Sequence, residues 1–271
     1  MAANRIRRTF ENLREQNTPA LIPYITAGFP QLDWTVPLME MLASNGADII
    51  ELGVPFSDPI ADGPTIQRAC KTALEAGTTL EKVLGLVREF RKNNDTPIVL
   101  FGALNPFYHY GLGRFARDAA DAGADAVLIP DVPVEEAPPL QAILRAHNID
   151  FILLVAPTTP LERKKVIVQN ASGFLYYISV KGVTGARAQS KFAIEEPLRE
   201  LRQVTDLPVV VGFGIATPEQ ARQVALHADG VVVGSALIEK IAAAKSLNEA
   251  LQTTSPWFKS LKEAICTTRA S

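Results

Sequence analysis

The chain has 271 residues, 47% of them hydrophobic and 21% charged, with a net charge of −2, so it reads as a folded globular protein without the basic surface that nucleic acid would require. Cys70 and Cys266 stand far apart, and His109, His147 and His227 do not cluster, which argues against a disulfide framework or a zinc site. No run approaches the roughly 20 apolar residues of a membrane span, and the polar, basic N-terminus lacks the apolar core of a secretory signal, so a cytoplasmic protein is expected.

In chain order, Ala3–Gln16 reads as a terminal helix, its Arg5-Ile6-Arg7-Arg8 run forming a solvated face. Ala20–Thr26 is the first apolar, β-rich run, followed by an amphipathic stretch at Trp34–Ser44. Asp48–Gly53 is the second run, then the helical pattern Leu80–Lys92. Pro97–Phe101, the helix Gly113–Ala122, Asp125–Pro130, the helix Glu135–His147 and Asp150–Val155 continue the alternation. Gly173–Ser179, Pro208–Gly212, the helix Pro218–His227 and Asp229–Gly234 complete it, with Thr217 and Pro218 as a good N-cap and N1 pair. Pro256–Thr267 reads as a second terminal helix.

The runs are near-continuously apolar, as parallel strands covered on both faces must be. Eight such strands alternating with helices, and no GxGxxG after the first, favour a closed (β/α)8 TIM barrel of the α/β class over an open doubly-wound sheet. Such a barrel needs about 250 residues, which makes 1–271 one domain with extra N- and C-terminal helices. A weak internal echo, Gly46-Ala47-Asp48 against Gly123-Ala124-Asp125 and more loosely Ala228-Asp229-Gly230, fits repeated βα units.

Chemistry in a barrel sits at the C-terminal strand ends. Glu51 interrupts an apolar strand on the face of Ile49, and a buried carboxylate must be paired, protonated or functional. A structural ion pair is one reading; a carboxyl poised for proton transfer is the other. The stiff loop beyond it carries Asp58 and Asp62, which either cap turns or, for Asp62, face Glu51 across a pocket. Glycine motifs follow three consecutive strands, Gly182-Val183-Thr184-Gly185, Gly212-Phe213-Gly214 and Gly234-Ser235. Their backbone N–H groups suit a phosphate where barrels recurrently bind one.

ELGVPFSDPIADGPTIQ (Glu51–Gln67) resembles the signature segment of tryptophan synthase α subunits. PYITAGFP (Pro23–Pro30), DVPVEE (Asp131–Glu136), SVKGVTG (Ser179–Gly185), GFGI (Gly212–Ile215) and GSA (Gly234–Ala236) extend the resemblance along the whole chain in order. It implies retro-aldol cleavage of indole-3-glycerol phosphate, with Glu51 and Asp62 as catalytic residues and no cofactor on this chain. It implies a pocket lined by Tyr24, Phe101, Leu128, Tyr176 and Ile152 or its neighbours. Thr184 falls on the loop that closes over substrate, and Gly185, Gly214, Gly234 and Ser235 fall on the phosphate ligands. Pro55, Asp58, Asn105 and Pro133 match positions facing a β subunit, which would carry pyridoxal phosphate in an α2β2 complex. Two departures stand out: Tyr24 replaces the Phe of many members, and Val180-Lys181 precedes GVTG where some have Arg after the serine. A stand-alone lyase and a non-catalytic regulatory subunit remain as rival readings, the latter disfavoured by intact Glu51 and Asp62.

Overall fold

A computed structural model describes residues 4–58, 62–178, 194–212 and 214–267. Eight parallel strands close in sequence order, β1 (Ala20–Thr26), β2 (Ile50–Gly53), β3 (Ile98–Phe101), β4 (Ala126–Leu128), β5 (Asp150–Val155), β6 (Leu175–Ile178), β7 (Val209–Gly212) and β8 (Gly230–Val233) pairing back to β1. The open-sheet alternative is thereby excluded. Among the described residues the helices are α1 (Arg5–Glu15), α2 (Thr35–Ser44), α3 (Pro64–Glu75), α4 (Leu80–Arg91), α5 (Leu104–Tyr110) and α6 (Leu112–Ala122). They continue with α7 (Ala137–Ala146), α8 (Leu161–Asn170), α9 (Glu195–Arg202), α10 (Pro218–Ala225), α11 (Ser235–Ala243) and α12 (Leu247–Cys266). None of them is long and apolar enough to cross a membrane.

Several strands are shorter than the apolar runs that announce them, for a physical reason at their N-terminal ends. Asp48 sits before β2 and accepts the Leu21 N–H of β1 at 2.7 Å and the Lys262 ammonium at 2.6 Å. Asp125, before β4, accepts the Ile98 N–H of β3 at 2.8 Å and is paired with Arg91 and Arg5, each at 3.1 Å. Asp229, before β8, accepts the Val209 N–H of β7 at 2.9 Å and pairs with Arg202 at 3.1 Å. Before β6, Ser172 Oγ plays this part for Phe151 of β5 at 2.9 Å. The echoed Asp motif is therefore one device used around the barrel: a side chain before each even strand satisfies a backbone donor of the preceding odd strand.

Inward side chains of seven strands, with Ile49 just before β2, fill the barrel, including Ile22, Val99, Ala126, Leu128, Ile152, Tyr176, Val210 and Val232. Ile6, Phe10 and Leu13 of α1 belong to the same cluster, Phe10 meeting Phe174 edge-on at 5.7 Å. That helix plugs the N-terminal end, so the barrel lumen opens at the C-terminal end. The last helix begins at Leu247, not at Pro256. Ser246 caps it, accepting from Glu249 N–H, and Pro256 lies inside it. Buried Ala250, Thr254, Phe258, Leu261 and Ile265 recur at helical spacing, and this packing overrides the proline. The Thr217-Pro218 start is realised in full, as a capping box with Gln220.

Candidate active site

Glu51 stands on β2 in register with Tyr24 of β1 and Val99 of β3. Its side chain is fully buried, and among the described residues neither carboxyl oxygen has a hydrogen-bond partner. The ion-pair reading is thus set aside. With no partner for its charge among the described residues, burial pushes its pKa up to about 8, so the group is a neutral acid at pH 7.

Asp62 follows the β2–α3 loop and precedes α3 by two residues. It does not cap that helix: Gly63 is the N-cap and makes no side-chain bond, while Asp58 accepts from Ser57 Oγ at 2.7 Å. Asp62 is half-buried, and burial raises its pKa to about 6, leaving it ionised at pH 7. The charges of both carboxyls bear on the hydroxyls of Tyr24 and Tyr176, whose pKa values burial holds well above the tyrosine norm. The barrel mouth therefore brings together a neutral acid and a carboxylate in environments that push their acidities apart.

The strands flanking Glu51 carry an aromatic and aliphatic wall. Tyr24 meets Phe101 edge-on at 5.5 Å, and Phe101, Leu128 and Ile152 are register neighbours on β3, β4 and β5. Leu128 and Ile152 are fully buried. Tyr176 is buried on β6 across the lumen.

At the far side, Gly234 is the N-cap of α11, no side chain caps that helix, and Ser235 opens it with an exposed side chain. Gly214 is exposed with φ +74°, a left-handed conformation that favours glycine. Gly234 lies against Tyr24, whose Cβ is 3.5 Å from where a Cβ would stand. The free helix N-terminus and the carboxyl pair thus flank one tyrosine ring, an arrangement suited to an aromatic substrate with a phosphate tail. Thr184 and Gly185 lie outside the described residues.

Of the residues matched to a partner surface, Asp58, Asn105 and Pro133 are exposed and Pro55 is buried. Asp131 joins two of their loops by accepting the Leu104 N–H at the start of α5, at 2.9 Å. Pro133, Leu154 and Ile178 line a cavity of about 440 Å³. Sequence reasoning assigned no site role to Thr26, Cys70 or Asp131. Thr26 and Cys70 are buried beside the site, Cys70 with its thiol pushed up to about 11 by burial and by Asp62. A polar Thr two residues after Tyr24 in an apolar strand was the available signal for the first.

The sequence matches the tryptophan synthase alpha chain family over residues 10–265. The chain belongs to that family. It is 50% identical over 241 residues to the tryptophan synthase alpha chain of Acidiphilium cryptum, covering 89% of this chain and 87% of that one. It is 48% identical over 265 residues to that of Geobacter sulfurreducens, covering 97% and 99%. Among solved structures, the alpha chain of Legionella pneumophila superposes with a TM-score of 0.89 at 41% identity over 100% of both chains. A tryptophan synthase structure of Mycobacterium tuberculosis gives 0.88 at 37% identity, covering 99% and 100%.

Proposed function

We propose that this chain cleaves indole-3-glycerol phosphate to indole and glyceraldehyde 3-phosphate, with Glu51 as acid and base and Asp62 as the fixed carboxylate. The observation that carries the reading is Glu51, fully buried and without a hydrogen-bond partner among the described residues, on the strand that leads into the loop of Asp62. The carbon–carbon bond breaks only when its electrons can return to the ring, so C3 of the indole must first take a proton. Glu51, protonated at neutral pH, supplies it. Its carboxylate then takes the proton of the glycerol hydroxyl as the aldehyde forms, which restores the acid. Protonation at C3 leaves positive character at the ring nitrogen, and a carboxylate at its N–H stabilises that charge, the part given to Asp62.

Tyr24, Phe101, Leu128 and Tyr176 enclose the ring. The phosphate is placed at Gly214, Gly234 and Ser235, where helix and backbone N–H groups favour an anion, with Thr184 and Gly185 completing the site. Family membership implies a β-subunit partner; the exposed Asp58, Asn105 and Pro133 are the surface assigned to it, in an α2β2 assembly. The test is indole release from indole-3-glycerol phosphate by the purified chain, alone and with a tryptophan synthase β subunit. Weak activity that rises strongly with β fits the proposal. High activity without β assigns a stand-alone lyase, and none in either case overturns the reaction.

A further inference from the structure

Trp257 lies outside the carboxyl site, yet it reaches both segments assigned to the phosphate. It stands half-buried on α12, the helix that packs against α10 and α11 together. Its indole N–H donates to the Ala216 carbonyl at 3.3 Å. Ala216 follows Gly214 by two residues, at the end of the turn that leads from β7 into α10. The ring face of Trp257 meets the Lys240 ammonium, which lies 5.1 Å from the ring centroid. Lys240 belongs to α11, about a turn and a half beyond Ser235.

The two phosphate segments need such a tie. The ladder between β7 and β8 ends at Gly212 and Val232, short of both. In the first segment the Ala216 and Thr217 N–H groups donate to Gln220 Oε1 at 2.8 and 3.2 Å, bonds that stay within the start of α10. In the second, no side chain caps α11 at Gly234. A phosphate shared between two sets of backbone N–H groups binds best when their spacing is set beforehand, because ordering them on binding subtracts from the affinity. An indole offers an N–H at one edge and an electron-rich face, so a single Trp can hold a carbonyl of one segment and a cation on the helix of the other.

We propose that Trp257 is a positioning residue for the phosphate site, setting the spacing between the Gly214 turn and the Gly234–Ser235 helix start. The inference rests on the phosphate placement proposed above. Trp257 acts through Ala216 and Lys240, by reducing the ordering that phosphate binding would otherwise require.

The experiment uses the full chain with Trp257→Phe, which keeps a ring face and loses the N–H, and Trp257→Leu, which loses both. Inorganic phosphate is titrated while the backbone amide resonances of Gly214, Gly234 and Ser235 are followed. Indole is titrated in parallel against the amides of Phe101 and Leu128. In Trp257→Phe the phosphate midpoint rises roughly threefold to tenfold, the scale of one hydrogen bond. In Trp257→Leu it rises further, and indole binding is unchanged in both. KM for indole-3-glycerol phosphate rises with the phosphate midpoint while kcat holds, since the lost contacts serve binding of the phosphate tail. Equal phosphate midpoints in the wild type and both variants overturn the proposal and leave the phosphate placement standing. A loss of indole affinity that matches the loss for phosphate also overturns it, because a general structural role would weaken both. If phosphate moves none of the three amides in the wild type, the phosphate placement falls and the proposal falls with it.

Discussion

The hydroxyl of Tyr24 on β1 lies so close over Gly53 on β2 that a Cβ at residue 53 would stand 2.2 Å from the phenol oxygen and 2.6 Å from Cζ. The relationship recurs across the lumen, where a Cβ on Gly212 of β7 would stand 2.0 Å from the Tyr176 oxygen. In each case the glycine ends one strand and the tyrosine leans onto it from the strand before. Both glycines therefore fix where a pocket wall stands. Gly53→Ala should displace the Tyr24 ring and lower kcat/KM for indole release by roughly tenfold to a hundredfold, the scale of a misplacement near 1 Å. Steady-state kinetics checks this, and unchanged kinetics would show that the ring is not held by residue 53.

Turnover as proposed needs Asp62 ionised and Glu51 protonated. Burial places these midpoints at about 6 and about 8, so kcat/KM should be bell-shaped with limbs near those values. Activity falls below the first as Asp62 gains a proton and above the second as Glu51 loses one. A profile flat from pH 5 to 9 would contradict both assignments.

Glu51→Gln should abolish indole release while keeping the fold, since the amide fills the same volume without a transferable proton. Its effect on stability depends on pH. The folded midpoint of Glu51, about 8, lies above its ordinary value of 4.5, so folding takes up a proton between those two values. The stability associated with its neutral form is complete below about 4.5 and is lost as pH rises through 8. The variant should therefore match the wild type near pH 4.5 and exceed it at pH 9, by at most about 3–5 kcal/mol. Denaturant unfolding at the two pH values measures the difference, and equal stabilities at both would argue that Glu51 has a partner in solution.

Asp125 belongs to the opposite end of the barrel and should affect stability alone. It is 5% exposed and holds the Ile98 N–H, Arg91 and Arg5 together. Asp125→Ala leaves Arg91 largely buried without its carboxylate, at a cost of about 3–5 kcal/mol. Thermal unfolding should show a clear fall in Tm, with kcat per folded molecule unchanged. A fall in kcat at full folding would mean that the Asp125 cluster reaches the active site.

Much of this protein is written in local sequence. The apolar runs that became β1 through β8 announce themselves because strands buried on both faces must be apolar throughout. Thr217-Pro218 fixed a helix start through its own side chain and ring, and Glu51 stood out because a carboxylate in such a run needs a reason. The repeated Asp motif was visible, though its meaning was not. That Asp48, Asp125 and Asp229 each serve a backbone donor on the preceding strand depends on pairing between segments distant in the chain. Helices α3, α5, α8, α9 and α11 were not singled out; helices of this length owe their stability to packing against the barrel more than to local propensity. The last helix runs through Pro256 because five buried side chains on its inner face outweigh one missing hydrogen bond.

The site divides in the same way. Residue types alone set the candidates: two carboxyls at a strand end and its loop, and glycines where a phosphate would sit. Only the closed barrel decided that Glu51 is left without a partner among the described residues, that Tyr24 and Tyr176 lean onto glycines of neighbouring strands, and that Thr26 lies against Tyr24. Acidity follows burial and distance, and both are properties of how remote strands come together, which no single stretch of sequence contains.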